Sequence, residues 1–425
     1  MKKIKLSRYN EIVNTEEKGY VYNFYTGAII ESEKEEKLEL EKMSKEEIDF
    51  LEKKGFIVGD TVDEVKRLEF SYLSHKFDKS SLGLTLCTTL ECNFDCPYCY
   101  EGRDKNKRTM SAEVLEKLSG FVASKIKNDN IKSVYVSILG GEALLKLEVL
   151  KSALENLDRL CSDKKIPVKT TLVTNGYCLD EAIPYLDMPR TIQNVQITFD
   201  GFGESHDKMR HTKTGEGSFD KIFDNMVLAL GKGIRVVARY NLTADNLADA
   251  RKFIEKIGSL DKKPFVYFGH VTEYAGMEAC RSVSCMNRAE YSKADLELIR
   301  YALSLGIKTD YMPVGFGNHC TADTVNGFTI DPDGDIYKCW NHVGKKEFAC
   351  GSIMAEAPEE IISDENKYYC YTMENPFRSS CTQCKFMPVC MGGCPVERLA
   401  GAKRCSKYKF QTMEFVKLYA EQHSL

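Results

Sequence analysis

The chain has 425 residues, 43% apolar and 29% charged, with a formal net charge of -4. That composition belongs to a globular protein of two or three units with a full core, and it excludes the basic footprint of a nucleic-acid binder. No apolar run follows the opening Met-Lys-Lys, and no stretch reaches the roughly 20 apolar residues of a membrane span, so the expectation is a cytoplasmic protein with neither nucleic acid nor membrane as partner.

Residues 1–78 read as a small winged-helix-like unit. Gly19–Tyr25 and Ala28–Glu31 are two predicted strands around a Thr26-Gly27 turn. Ser44 starts a helix, with Glu47 three residues on as a capping box, and Gly55 ends it. Phe56-Ile57-Val58 is a third strand, and a polar helix follows from Thr61.

Residues 79–275 alternate between strands and amphipathic helices. The predicted strands are Leu82–Thr88, Ser133–Leu139, Val168–Thr174, Asn194–Phe199, Arg235–Asn241 and Phe265–His270, with helices such as Ala112–Ile126 and Leu144–Leu160 between them. Repeated β–α units predict an α/β fold with a parallel sheet. Six units fall short of the eight of a closed barrel, so the expectation is a partial (β/α)6 TIM-like barrel, open on one side for a large substrate. Residues 276–310, with a helix at Lys293–Ser304, bridge to a cysteine-rich segment at 311–425.

The chain has 17 cysteines, 11 of them from Cys280 onward. In a reducing compartment metal accounts for so many thiols better than disulfides do. The first predicted strand runs into Cys92-x3-Cys96-x2-Cys99. Three thiolates on one loop can hold three irons of a [4Fe–4S] cube and leave the fourth open to a small molecule. Zinc normally takes four ligands, often as paired C-x2-C, and no His lies near this loop. In the C-terminal third the spacing is Cys320-x13-Gly334-x4-Cys339, then Cys381-x2-Cys384-x5-Cys390-x3-Cys394-x10-Cys405. The turn Asp331-Pro-Asp-Gly-Asp335 is expected to bring Cys339 back beside Cys320. Cys87, Cys161 and Cys178 read as small core residues.

The Cys92–Cys99 run resembles the cluster loop of the radical S-adenosylmethionine (SAM) superfamily. That resemblance implies that Cys92, Cys96 and Cys99 hold a cluster whose open iron binds SAM, and that SAM is cleaved to a radical that abstracts hydrogen from carbon. Tyr98 matches the aromatic residue that the family places near the adenine. Gly140-Gly141-Glu142, at the end of the second strand, resembles the glycine-rich contact to the SAM amino group, although Ala143 stands where Pro is usual. Thr174-Asn175, Asp200, and Arg239 with Asn241 follow at the ends of the third, fourth and fifth strands, where the family contacts SAM. His206-Asp207-x-x-Arg210 and Gly215-x-Gly217-Ser218-Phe219 resemble the peptide-modifying branch. They are read as a substrate-side or structural loop, or as a helix entry with Ser218 as N-cap.

The later cysteines resemble the SPASM domain of radical SAM peptide maturases. By that resemblance Cys320, Cys339 and Cys394 bind a first auxiliary cluster and Cys381, Cys384, Cys390 and Cys405 a second, giving three [4Fe–4S] clusters in all. Cys280, Cys285, Cys350 and Cys370 are candidates for the fourth ligand of the first auxiliary cluster, or its iron takes a substrate thiolate. The N-terminal unit resembles the leader-recognition domain of such maturases. The implied partners are a precursor peptide with a leader and a low-potential donor such as flavodoxin or ferredoxin. The implied activity is formation of a Cys thioether (sulfur-to-carbon) cross-link. The alternatives are a carbon–carbon cross-link, epimerisation, or anaerobic sulfatase maturation, against which Trp340 stands where those relatives often carry Asp after the cysteine. From another class, a non-catalytic iron–sulfur electron carrier or scaffold has no use for an open iron or for Gly140–Glu142.

Overall fold

The structure is a computed structural model, and it describes residues 3–16, 18–32, 40–99, 101, 108–186, 191–272, 283–312 and 320–423. The expected boundary at 275/276 and Cys280 lie outside the described residues.

The N-terminal elements follow the predicted order, with two short strands ahead of them. β1 (Ile4–Leu6), β2 (Asn10–Asn14), β3 (Gly19–Asn23) and β4 (Ile29–Ser32) precede α1 (Lys45–Lys54), β5 (Ile57–Gly59) and α2 (Glu64–Lys76). β2, β3 and β4 form an antiparallel sheet, and β1 pairs with β5. α1 starts at the expected capping box, with both the Ser44 and Glu47 bonds made, and ends at Gly55 in the left-handed conformation.

The six predicted barrel strands are present as β6 (Ser81–Cys87), β7 (Ser133–Leu139), β8 (Val168–Thr174), β9 (Asn194–Phe199), β10 (Arg235–Leu242) and β11 (Phe265–His270). They pair in parallel and in chain order. The helices between them are α3 (Ala112–Asn128), α4 (Leu147–Ser162), α5 (Leu179–Tyr185), α6 (Glu204–Met209), α7 (Phe219–Gly231) and α8 (Leu247–Gly258). Their buried faces, such as Leu150, Leu154 and Leu157 of α4, pack into one core with the strand residues. This is the expected α/β fold with a mostly parallel central sheet.

The sheet does not stop at six strands. After α9 (Arg288–Ser304), β12 (Gly327–Ile330) pairs in parallel with β6, and β13 (Asp335–Tyr337) and β14 (Gly351–Ser352) continue it antiparallel. The cysteine-rich segment is thus joined to the barrel through the sheet itself, at the strand that leads into the first cysteine loop. Among the described residues no helix is long and apolar enough to cross a membrane.

Residues 1–78 share part of their core with the rest of the chain. Val21, Leu51, Phe56 and Ile57 form a small private cluster, but Tyr9, Tyr22 and Phe24 belong to the main core. Tyr22 meets Tyr419 of the C-terminal helix (Thr412–Gln422), and Phe24 meets Phe386 with ring centroids 4.6 Å apart.

Candidate functional site

The C-terminal ends of the barrel strands surround a cavity of about 460 Å³, within the usual range for small-molecule sites. Its wall takes Thr85 from β6, Ser137 from β7, Gln196 and Thr198 from β9, Arg239 and Asn241 from β10, and His270 from β11. Tyr98, Arg210, Trp340 and Asn341 also line it. Polar residues at alternate positions, such as Gln196/Thr198 and Arg239/Asn241, face inward because strand side chains alternate.

Of the predicted SAM contacts, Tyr98, Arg239 and Asn241 line this cavity. Arg239 Nε donates to Asn241 Oδ1 at 2.8 Å, and its Nη1 reaches Tyr267 Oη at 3.3 Å. The remaining contacts form a buried network around the cysteine loop. Glu142 Oε1 accepts from Leu144 N and Thr174 Oγ1, and Oε2 accepts from Asn175 N at 2.7 Å. Asn175 Nδ2 then donates to Asn93 Oδ1, inside the loop, at 2.7 Å. Glu142 therefore ties the ends of β7 and β8 together. Burial pushes its carboxyl pKa up, against the pull of these donors.

The glycines before it serve close approach, but to protein backbone. A Cβ on Gly141 would lie 2.2 Å from Glu91 O, and one on Gly140 would lie 2.5 Å from Thr89 O. Gly141 N and Glu142 N donate to these same two carbonyls. The segment is thus stitched to the start of the cysteine loop, where only glycine fits.

Cys92 and Cys96 are buried and Cys99 is half-buried. Burial pushes the Cys96 thiol up to about 11, and both Cys92 and Cys99 lie close enough to add to that. Beside them, Tyr98 Oη donates to Asp200 Oδ2 in a short contact, and Arg210 Nη1 donates to Tyr98 Oη at 2.9 Å. The loop carrying Arg210 differs in one respect from the sequence reading. Ser218 precedes α7 but makes no side-chain cap; Asp207 Oδ1 accepts from Ser218 N and Phe219 N instead, and Ser218 Oγ donates to Arg210 O. Asp207, a longer reach away on α6, is the anion at that helix start, and Arg210 is turned inward.

The later cysteines gather in two further cavities. Cys320, Cys339 and Cys394 line one of about 450 Å³. Cys381, Cys384, Cys390 and Cys405 line another of about 140 Å³. Cys339 feels the charge of Cys320 and Cys394, and Cys390 that of Cys384, Cys381 and Cys405, so each set is mutually close. Cys390 and Cys405 also reach the wall of the larger cavity. Of the fourth-ligand candidates, Cys285, Cys350 and Cys370 are absent from that wall. Cys350 is fully buried against Ile336 O, and Cys370 is exposed. Cys87 and Cys161 are buried, as expected of core residues, while Cys178 is half-buried and receives Asn93 Nδ2 at 3.9 Å.

Among the described residues, the three carboxylates Asp331, Asp333 and Asp335 have ligand atoms all within 4.8 Å of one another, and no cysteine set is gathered so tightly. A tetrahedral zinc with Zn–S of about 2.3 Å needs sulfurs roughly 3.8 Å apart. Thiols that share a cavity at wider spacing fit an iron–sulfur cube better than a single ion.

Trp340 and Asn341, directly after Cys339, line both the barrel cavity and the cavity of Cys320, Cys339 and Cys394. The sequence marked Trp340 as a departure without locating it. His270 was unassigned, since a lone His at a strand end carries no spacing signal, and Arg210 was read only as part of a substrate-side or structural loop.

Known proteins resemble this chain along most of its length. It is 26% identical over 353 residues to the serine-type anaerobic sulfatase-maturating enzyme of Bacteroides thetaiotaomicron, covering 73% of this chain and 81% of that one. It is 23% identical over 329 residues to the cysteine-type enzyme of Clostridium novyi, covering 71% and 84%. Among solved structures, anSMEcpe with bound SAM superposes with a TM-score of 0.60 at 21% identity, over 80% of this chain and 98% of that one. Streptococcus suis SuiB bound to SAM superposes with a TM-score of 0.56 at 14% identity, over 93% and 96%. The radical SAM superfamily model matches residues 86–257, from the end of β6 through the cysteine loop to α8, and this stretch is similar to a domain that takes SAM and iron–sulfur clusters as cofactors.

Proposed function

We propose that this chain is a maturase that modifies a precursor peptide by radical SAM chemistry, joining a Cys sulfur of the peptide to a carbon of another residue. Cys92, Cys96 and Cys99 hold the [4Fe–4S] cluster, and Tyr98, Arg239 and Asn241 bind SAM in the barrel cavity. When bound and reduced, that cluster supplies the electron that cleaves SAM and so provides the hydrogen-abstracting species. The protein's own part is to orient the reactants, exclude water and keep two cavities side by side.

The observation that carries the reading is Trp340-Asn341 standing in the wall between the barrel cavity and the set Cys320, Cys339 and Cys394. A peptide residue in the barrel cavity lies next to three thiols suited to an auxiliary cluster. The length of the match supports a precursor peptide. SuiB in complex with its precursor peptide SuiA covers 94% of this chain, whereas anSMEcpe covers 80%. The N-terminal unit then serves as leader-recognition domain, with flavodoxin or ferredoxin as electron donor.

A second reading, oxidation of a Ser or Cys to formylglycine, is favoured by the curated relatives.

The test is anaerobic reconstitution with iron and sulfide, followed by SAM and dithionite. Wild type is expected to yield 5′-deoxyadenosine and the Cys92/Cys96/Cys99 triple-Ala variant none. Cys-containing peptides are then analysed by mass spectrometry after thiol alkylation and after hydrazide labelling. A thioether blocks alkylation without giving an aldehyde; an aldehyde would replace the first reading by the second.

A further inference from the structure

Arg210 directly follows α6 and reaches the cysteine loop from the β9 side. Its Nη1 donates to Tyr98 Oη at 2.9 Å and pairs with Asp200 at 3.3 Å. Its guanidinium carbon lies 5.7 Å from the centre of the Phe94 ring. The side chain therefore touches the loop at Phe94 and Tyr98, two residues to either side of Cys96. Its backbone is fixed independently, with Arg210 N donating to His206 O at 2.8 Å.

Two features of this arginine are not used by that packing. It is only 9% exposed, and its Nε–H is buried with no hydrogen-bond partner among the described residues. Buried donors are almost always paired, so an orphan at a cofactor site points to an acceptor that the cofactor brings. Burial opposes its charge, but Tyr98, Cys96 and Asp200 together hold its pKa well above the ordinary range. Of the charges acting on Cys96, Arg210 has the largest effect and Asp200 acts in the opposite sense.

We propose that Arg210 is a positioning residue that favours the reduced state of the Cys92/Cys96/Cys99 cluster, with Asp200 offsetting part of its charge. Reduction adds one electron, and with it one negative charge, to a cluster whose sulfurs accept hydrogen bonds. A buried cation with a free N–H, held against the cysteine loop at Phe94 and Tyr98, stabilises that state, one of the means by which a protein sets cluster potentials. The motif His206-Asp207-x-x-Arg210 then has a division of labour, with Asp207 fixing the start of α7 and Arg210 serving the cluster.

The inference rests on Cys92, Cys96 and Cys99 being cluster ligands, and one experiment tests both. Full-length reconstituted protein is titrated potentiometrically and read by electron paramagnetic resonance with and without SAM. The signal that SAM alters belongs to the cluster with the open iron; its absence from wild type would sink the ligand assignment itself. With that signal present, Arg210→Gln is expected to lower the ratio of reduced to oxidised cluster about tenfold at fixed ambient potential, a shift of about 59 mV for one electron. Arg210→Lys, which keeps the charge, shifts it less, and Asp200→Asn shifts it the opposite way. An unchanged potential in Arg210→Gln overturns the proposal, and with weakened SAM binding it reassigns the free Nε–H to SAM. Loss of the signal from both Arg210→Gln and Asp200→Asn also overturns it, since the network would then be a clamp for the loop.

Discussion

Lys76 and Asp323 form an ion pair at 3.0 Å, and the lysine side chain is 1% exposed. Lys76 ends α2 in the N-terminal unit; Asp323 lies three residues after Cys320, whose carbonyl accepts its backbone N–H at 2.9 Å. Tyr72 Oη donates to both Asp323 oxygens, and Lys76 Nζ donates to Glu374 O at 2.6 Å. The other cysteine loop is held by the same unit. Arg8 Nη2 donates to Thr382 O, between Cys381 and Cys384, and Glu11 pairs with Lys385. The residues expected to read a peptide leader thus pack directly on both later cysteine loops.

Lys76→Met is therefore expected to destabilise the protein by about 3–5 kcal/mol, because it strands a buried carboxylate. Replacing both partners, as Lys76→Met with Asp323→Leu, should recover most of that loss. Urea unfolding under anaerobic conditions measures the first effect. Iron counting measures the second consequence: the single variant is expected to hold less iron than wild type and the double variant more than the single one. Equal iron in all three would mean that the N-terminal unit does not brace the loops.

Gly141→Ala is expected to abolish SAM cleavage. The added Cβ would meet Glu91 O at 2.2 Å, and neither backbone segment can yield without moving the cysteine loop. Gly120, whose Cβ would meet nothing within 4 Å, is the matched control. Gly120→Ala sits within α3 and should gain roughly 0.5–1 kcal/mol of stability. The two are compared by 5′-deoxyadenosine yield and iron content.

The barrel was legible because each strand is a short apolar run between helical periods, so six strands could be bounded to within a residue or two. β1 and β2 were missed because three- and five-residue strands such as Ile4–Leu6 carry too little alternation to stand out. The later cysteine sets came from the resemblance, because spacing alone would group Cys394 with Cys390, four residues before it, and not with Cys320 and Cys339. The role of Glu142 was not legible. Its partners Thr174 and Asn175 were singled out, but nothing in a sequence says that a carboxylate faces three protein donors instead of a ligand. Trp340 was noticed as a residue type, and its position between two cavities follows from β12 and β13 joining the barrel sheet beside β6, a pairing between segments some 240 residues apart in the chain.

Glu142→Gln tests that network. The carboxylate accepts from Leu144 N, Thr174 Oγ1 and Asn175 N, and an amide can offer only one oxygen to them. At least one buried donor is left unpaired, at a cost of about 1–3 kcal/mol. The expected result is lower thermal stability together with reduced SAM binding, measured by calorimetry on the reconstituted protein. Reduced SAM binding with no change in stability would instead favour direct contact between Glu142 and SAM.

His270 gives a prediction in pH. Its Nε2 donates to Met286 O at 2.8 Å, its ring stacks on Tyr291 at 4.2 Å, and its Nδ1 is buried without a partner among the described residues. Burial, with smaller contributions from Arg288 and Arg404, lowers its pKa to about 4. The unfolded imidazole takes up a proton below about 6.5, whereas the folded one stays neutral to about 4. Between those values the unfolded state holds more protons, so stability falls as pH falls through that window. His270→Gln keeps a donor for Met286 O and removes the titration. Its loss of stability between pH 7 and pH 5 is expected to be smaller than that of wild type by about 1 kcal/mol, allowing for partial solvent screening. Urea unfolding at the two pH values measures the difference, and identical losses would mean that the folded imidazole titrates as it does in the unfolded chain.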